Sequence, residues 1–251
     1  MCCFSGKVRT VGKTRIFARG VEAGVQALVY QMNFDAEQEV AMILPLPVKL
    51  PIWEKAVRFV NLEGYDNFFE KLDKLFPQIV SRGRGVAETD SLAMKTLEVV
   101  QVGSYEASFV PTMEDFARLD NRFRIDPKAW AKLPQYKDYG FAVFKLKAGN
   151  QKVHPMAFVF ETRLEGELFF PTVHIHDGEV HEKESFDHSL YAQGWENANL
   201  RGEGWKESLE NAEEKIDEER AKGLVWGKGK VYRKRIFGSH PNVDQLLAAK
   251  A

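Results

Sequence analysis

The stretch from Phe170 to His181 constrains the fold of this chain more than any other part of its sequence. Two short apolar segments rich in β-branched residues flank the dipeptide Asp177-Gly178. This dipeptide supplies the positive φ angles that a two-residue type I′ turn requires. The stretch therefore predicts a β-hairpin, although a four-residue loop would change the pairing of its strands.

The two-residue turn would gather histidines and a carboxylate on one face of the hairpin. Directly opposed residues share a face of a sheet, and so do residues two apart on one strand. In this register one face carries His174, His176, His181 and Glu179, and the other carries Ile175 and Val180. Three imidazoles and a carboxylate within reach of one another are typical of a metal site.

Other segments predict further strands. Gln26–Asn33 alternates between two sets of side chains, which is the period of a strand. Glu39–Leu46 is a short apolar run that contains one proline and is followed by another, as expected of a buried strand near its end. Further strands are predicted at Tyr139–Lys147, Met156–Arg163, Glu167–His176 and Glu179–Ser185.

Two of the longer segments that predict helices are Asp66–Phe76 and Ser208–Lys222. Asp66–Phe76 has apolar residues at helical spacing, with Asp66 as a candidate N-cap and Pro77 as a stop. Ser208–Lys222 is charge-rich with few apolar anchors and predicts a solvated helix. We therefore predict an α+β fold, mainly an antiparallel β-sheet or sandwich with a few short helices. Residues 1–191 would form a metal-binding domain, and residues 192–251 a helical C-terminal extension packed on it.

Composition excludes several classes of partner. The chain has 35 basic and 36 acidic residues and a net charge of −1, which favours neither nucleic acid nor an anionic membrane surface. No apolar run approaches the roughly 20 residues that span a bilayer. Basic residues interrupt the N-terminal region where a secretory signal would be apolar. We therefore expect a cytoplasmic protein with a small-molecule substrate, and the oligomeric state stays open.

The histidines and cysteines together predict a metal centre. Five of the 6 histidines fall between positions 154 and 188, and the 2 cysteines, Cys2 and Cys3, are adjacent. Imidazole binds zinc, copper, iron and nickel, whereas thiolate favours copper and zinc over magnesium or calcium. A short N-terminal strand beside the hairpin would bring a sulfur to the histidines. The predicted metal ligands are Cys2, Cys3, His174, His176 and His181, with copper favoured over zinc or iron.

Two local sequences add a resemblance to this chemistry. Met1-Cys2-Cys3-Phe4-Ser5-Gly6 and Val173-His174-Ile175-His176-Asp177 are similar to segments of proposed copper-dependent oxidases of small molecules. The resemblance implies an oxidoreductase that uses O₂. A thiolate–imidazole copper site would take electrons from the substrate, and Glu179 or Asp177 would be the catalytic group that accepts a proton.

A second resemblance covers residues 26 to about 176. Ile43-Leu44-Pro45-Leu46-Pro47, Val102-Gly103-Ser104-Tyr105-Glu106, Tyr139-Gly140-Phe141-Ala142-Val143 and His154-Pro155-Met156-Ala157-Phe158 follow one another as in an uncharacterised bacterial β-rich family. The resemblance implies a mainly antiparallel fold and no activity.

Three alternatives stay open. His174 and His176 followed by Glu179 resemble a cupin motif, although the spacing to the glutamate is short. If Met1 is removed, the α-amine of Cys2 could serve as the base for its thiol in an N-terminal-cysteine hydrolase. A non-catalytic protein that binds, delivers or senses copper or zinc is the third.

Overall fold

The computed structural model of the chain describes residues 2–77, 100–102, 105–195, 199–200 and 202–250. Short helices interrupt a run of strands in the described residues. The α-helices are Phe68–Asp73 (α1) and Pro127–Ala131 (α2), and the 3-10 helices are Glu114–Arg118, Asn121–Phe123, Pro134–Tyr136 and Ala212–Glu214. The strands are Cys2–Phe4 (β1), Thr10–Glu22 (β2), Val25–Ala36 (β3), Val40–Leu46 (β4), Val57–Asn61 (β5), Val100–Val102 (β6), Tyr105–Val110 (β7), Gly140–Leu146 (β8), Gly149–Lys152 (β9), Met156–Glu161 (β10), Glu167–Phe170 (β11), His174–Ile175 (β12), Lys183–Gln193 (β13), Asn199–Leu200 (β14), Lys206–Asn211 (β15), Lys230–Pro241 (β16) and Gln245–Lys250 (β17).

These strands form three sheets. The six-stranded sheet has the order β12-β1-β4-β8-β7-β6, and a three-stranded sheet has the order β11-β17-β14. The eight-stranded sheet has the order β15-β16-β13-β2-β3-β10-β5, with β9 also paired to β3. Pairing is antiparallel except between β1 and β12 and between β2 and β13, which are parallel.

Alternation along β3 divides the apolar residues between two cores. Leu28, Tyr30 and Met32 belong to the larger core, which lies between the six-stranded and eight-stranded sheets. Ala27 and Val29 face the opposite side, where α1 covers the eight-stranded sheet. The predicted strands at Gln26–Asn33 and Glu39–Leu46 are confirmed as β3 and β4. Both cores are therefore built on one central sheet.

Helix α1 is shorter than the predicted Asp66–Phe76. It covers Phe68–Asp73, its N-cap is Asn67, and no side chain caps its first turn. The helical spacing nevertheless identified its apolar face, because Phe68, Phe69, Leu72, Leu75 and Phe76 are all buried.

The predicted C-terminal helix is wrong, and so is the α+β class with a helical extension. Residues 206–211 form β15, a 3-10 turn follows, and β16 pairs with β13 from Lys183 to Ala192. Leu209, one of the few apolar residues of the predicted helix, is 69% exposed. Pairing with a distant strand overrides a local helical pattern. The chain is mostly β, and the predicted domain boundary after residue 191 falls inside β13.

The predicted hairpin around Asp177-Gly178 is also wrong. Gly178 has a φ of +88°, and Asp177 Oδ1 accepts a hydrogen bond of 2.9 Å from the backbone N–H of Glu179, so the chain does bend there. The flanking segments do not pair with each other, however. β12 joins the six-stranded sheet beside β1, and the chain then crosses to β13 of the eight-stranded sheet. In the described part of the chain, no helix is long and apolar enough to cross a membrane.

Candidate functional site

Three histidines cluster where the six-stranded and eight-stranded sheets meet. His174 on β12 and His188 on β13 place their Nε2 atoms 3.2 Å apart, one residue from each sheet. The His176 ring centroid lies 4.8 Å from that of His174. Phe186, two residues before His188, packs with its ring centroid 4.6 Å from that of His174. The cluster therefore joins the two sheets through packed aromatic and imidazole rings.

Burial keeps these imidazoles neutral. It lowers the pKa of His174 to about 2 and that of His176 to about 4, and it places the pKa of His188 well below its usual value. One Nε2 of the His174–His188 pair must donate and the other accept, since each neutral ring carries one N–H. Nδ1 of both rings and Nε2 of His176 have no hydrogen-bond partner among the described residues. Each such buried atom costs about 1–3 kcal/mol.

The C-terminal segment holds the cluster in place. The backbone N–H of His174 donates to Asn242 Oδ1 at 2.7 Å, and Asn242 Nδ2 donates to the carbonyl of His174 at 3.0 Å. Asn242 Nδ2 also donates to the carbonyl of His181 at 3.0 Å. Two residues later, Asp244 accepts hydrogen bonds from the backbone N–H groups of Thr172 and Val173. Residues 242–244 thus fix both sides of the bend that follows β12.

The other predicted site residues lie at the surface or in the core. His181 is exposed, and its Nε2 lies 3.1 Å from Asp177 Oδ2, which raises the pKa of His181. Glu179 forms an exposed ion pair with Lys132. Cys3 is fully buried, and Cys2 lies opposite His174 in the β1–β12 register. The structure therefore brings His174 and His176 together, whereas His181, Asp177 and Glu179 form exposed contacts of their own.

His188 is the member of the cluster that the sequence reasoning missed. We predicted a strand that ended at Ser185, but β13 continues to Gln193. Phe186, His188 and Leu190 alternate as buried residues along it. The alternation of apolar and polar residues beyond residue 185 is the sequence signal that predicts a longer strand.

A second arrangement fixes α1 on the eight-stranded sheet. Asp73 Oδ1 accepts a hydrogen bond of 2.8 Å from the Tyr191 hydroxyl and one of 3.1 Å from Arg233 Nη1. Glu70 accepts one of 2.9 Å from Arg15 Nη2. These contacts join the polar side of the helix to β2, β13 and β16, while its apolar side fills the smaller core.

The similarity that the chain shows to known proteins lies in its fold. The search against protein families gives no match, and neither does the search of curated proteins. Among solved structures, the chain is similar to baculovirus P35, with a TM-score of 0.50 and 16% identity over 97% of this chain and 98% of P35. The chain shares its fold with P35.

Two further structures of P35 are also similar. The caspase-8/P35 complex gives a TM-score of 0.48 with 17% identity over 95% of this chain and 96% of the other. A mutated baculovirus P35 after caspase cleavage gives 0.48 with 18% identity over 94% and 99%.

The predicted copper oxidase, and the copper or zinc carrier offered as its alternative, are wrong. Among the side chains that the structure describes, no group of three or more histidine, cysteine, aspartate or glutamate residues is arranged to hold a metal ion. The reason is the parallel pairing of β12 with β1, which leaves His181 and Glu179 beyond the bend instead of beside His174. The fold is similar to that of P35. The cytoplasmic location and the two sequence resemblances stay predictions.

Proposed function

We propose that this chain is a protein-binding molecule whose partner is a cysteine protease of the caspase class. The observation that carries the proposal is the end-to-end likeness of the fold to P35, over 97% of this chain and 98% of P35 at a TM-score of 0.50. P35 has been solved in a complex with caspase-8. The predicted small-molecule substrate is therefore wrong, and a protein partner takes its place.

The packing of the chain supports a role in binding another protein. A protein that binds another without large rearrangement loses less entropy on association, so a rigid scaffold favours affinity. Here α1 is held by the smaller apolar core and by the contacts of Asp73 and Glu70 with three strands. Both apolar cores pack on the eight-stranded sheet, so one continuous sheet supports the surface of the protein.

The proposal is tested by the effect of the chain on caspase-8. Purified caspase-8 would be incubated with increasing amounts of the chain, and its hydrolysis of a fluorogenic peptide would be followed. We expect the rate to fall until the two proteins are equimolar. A serine protease assayed with its own substrate is the control and should keep its rate. An unchanged caspase-8 rate at a large excess of the chain would contradict the proposal.

A further inference from the structure

One short segment carries two of the three clustered histidines. Residues 172–181 contain the two-residue strand β12 and the bend that follows it, and β12 lies at the edge of the six-stranded sheet beside β1. His188, in contrast, lies on β13, which is paired with β16 on one side and with β2 on the other. Short edge elements open at a lower free energy than central strands do. Opening of residues 172–181 is therefore the easiest way for water to reach the cluster.

The closed position of this segment suits only uncharged rings. His174 Nε2 lies 3.2 Å from His188 Nε2, so this contact accommodates one N–H between the two rings. Nδ1 of both rings and Nε2 of His176 are buried and have no hydrogen-bond partner among the described residues. A ring that gained a proton in the closed position would therefore carry a buried charge and a donor without an acceptor, which is unfavourable.

The groups around the rings do not compensate for such a charge. The neighbours of the rings on the strands that pack or pair with them are uncharged, namely Phe4, Thr14, Phe186 and Ile236. Asp177 favours protonation of His176 but is already bonded within the bend. Asp244 accepts its hydrogen bonds from backbone N–H groups and from Tyr136. The charge of the amino terminus opposes protonation of all three rings.

We propose that residues 172–181 form an acid-sensitive switch, which is closed on β13 at neutral pH and which acid detaches as a unit while the eight-stranded sheet stays folded. Protonation of His174 and His176 in water then keeps the segment open, and a return to neutral pH closes it. Detachment exposes Val173 and Ile175, which are buried in the closed form, and so changes the surface that this end of the molecule offers to a partner. The switch does not depend on the caspase partner proposed above.

Amide hydrogen exchange on the whole chain tests the switch. Protection factors, corrected for the intrinsic pH dependence of exchange, would be compared at pH 7 and pH 5 for His174 and Ile175, with Tyr30 of β3 as the reference. An imidazole in water takes up a proton near pH 6.5, whereas the pKa in the closed segment is about 2 for His174 and about 4 for His176. Because the open form holds more protons, it should become about a hundredfold more populated at pH 5.

The protection of His174 and Ile175 should therefore fall about a hundredfold between pH 7 and pH 5. At pH 5 the protection of Tyr30 should still be at least about tenfold greater than theirs, because central strands open only with larger parts of the fold. The proposal is overturned if the protection of His174 and Ile175 does not change with pH. It is also overturned if their protection equals that of Tyr30 at pH 5, because the segment would then open only when the whole chain unfolds.

Two variants assign the effect to the buried rings. His176→Phe keeps a ring beside Phe4 and removes one titrating group, so the fall in protection at His174 should shrink to about tenfold. His240→Ala removes an exposed histidine of β16 and should leave the fall unchanged. Circular dichroism would show that each variant is folded, and the comparison within the wild type decides the proposal if one is not. A folded His176→Phe variant that keeps the full hundredfold fall would overturn it.

Discussion

At the scale of the residue, protonation of the buried histidine cluster opposes folding. His174 and His188 meet across the two sheets with their Nε2 atoms 3.2 Å apart, and protonation of both rings would leave two donors facing each other. Burial also penalises the charged form of each ring. The cluster should therefore make the protein sensitive to acid well before its carboxylates titrate.

The free energy of unfolding should fall as the pH drops from about 6.5 towards 4. The unfolded chain binds protons on these histidines near pH 6.5, whereas the folded pKa of His176 is about 4 and that of His174 about 2. Because the unfolded state then holds more protons, stability decreases with falling pH, by about 1.4 kcal/mol per pH unit for each histidine.

A single variant isolates this effect. His188→Phe keeps a ring beside Phe186 and His174 but removes one titrating group. Urea denaturation between pH 7.5 and 4.5 should give a shallower slope for the variant, by about 1.4 kcal/mol per pH unit. Equal slopes for the variant and the wild type would show that His188 does not titrate on unfolding.

Asn242 should contribute more to stability than its size suggests. Its side chain bonds to the N–H and carbonyl of His174 and to the carbonyl of His181. In Asn242→Ala these buried groups lose their partner, and we expect a loss of about 2 kcal/mol. Amide hydrogen exchange at His174 should accelerate, while Asn121→Ala, at an exposed position, should change little. An unaltered exchange rate at His174 would contradict the role assigned to Asn242.

At the scale of the element, Asp73 connects α1 to the sheet beneath it. Its Oδ1 is shared by Tyr191, which is fully buried, and by Arg233, which is 11% exposed in its side chain. Removal of the carboxylate leaves a buried hydroxyl and a poorly solvated guanidinium without this partner. The loss of one partner from a buried pair lowers the free energy of unfolding far more than the loss of one partner from an exposed pair.

Asp73→Ala should therefore lower the free energy of unfolding by about 2–3 kcal/mol. Glu37→Ala is the matched control, because the pair of Glu37 with Arg9 is exposed and should contribute little to stability. Chemical denaturation at pH 7 measures both. If the two variants lost the same stability, the contacts of Asp73 would not hold the helix.

A strand or helix whose residues show a regular hydrophobic period could be predicted from the sequence. The pairing of a strand with a partner far away in the chain could not. The alternation of Leu28 and Tyr30 with Ala27 and Val29 carries the strand period and assigns each set to its core. Asp177-Gly178 does produce a bend, but the turn residues do not determine which strand β12 will join. That choice depends on β1, some 170 residues earlier in the chain. The sequence correctly predicts that the N-terminal strand lies beside His174, whereas the copper oxidase activity predicted from this contact is wrong.

At the scale of the whole molecule, the eight-stranded sheet organises everything else. One face packs on the six-stranded sheet and the other on α1, and the C-terminal strands extend the sheet as β15 and β16. Ser208–Lys222 looked helical because its charges and few apolar residues contained no local sign of the pairing with β16. The fold of the whole chain is similar to that of P35, although the sequence identity is only 16%.

The most direct test of the central proposal is size-exclusion chromatography of the chain mixed with caspase-8, with the mass of each peak measured by light scattering. We predict a new peak that contains both proteins in equal amounts and whose mass exceeds that of caspase-8 by about 28.7 kDa for each copy of the chain bound. Separate elution of the two proteins at micromolar concentration, with no shared peak, would contradict it.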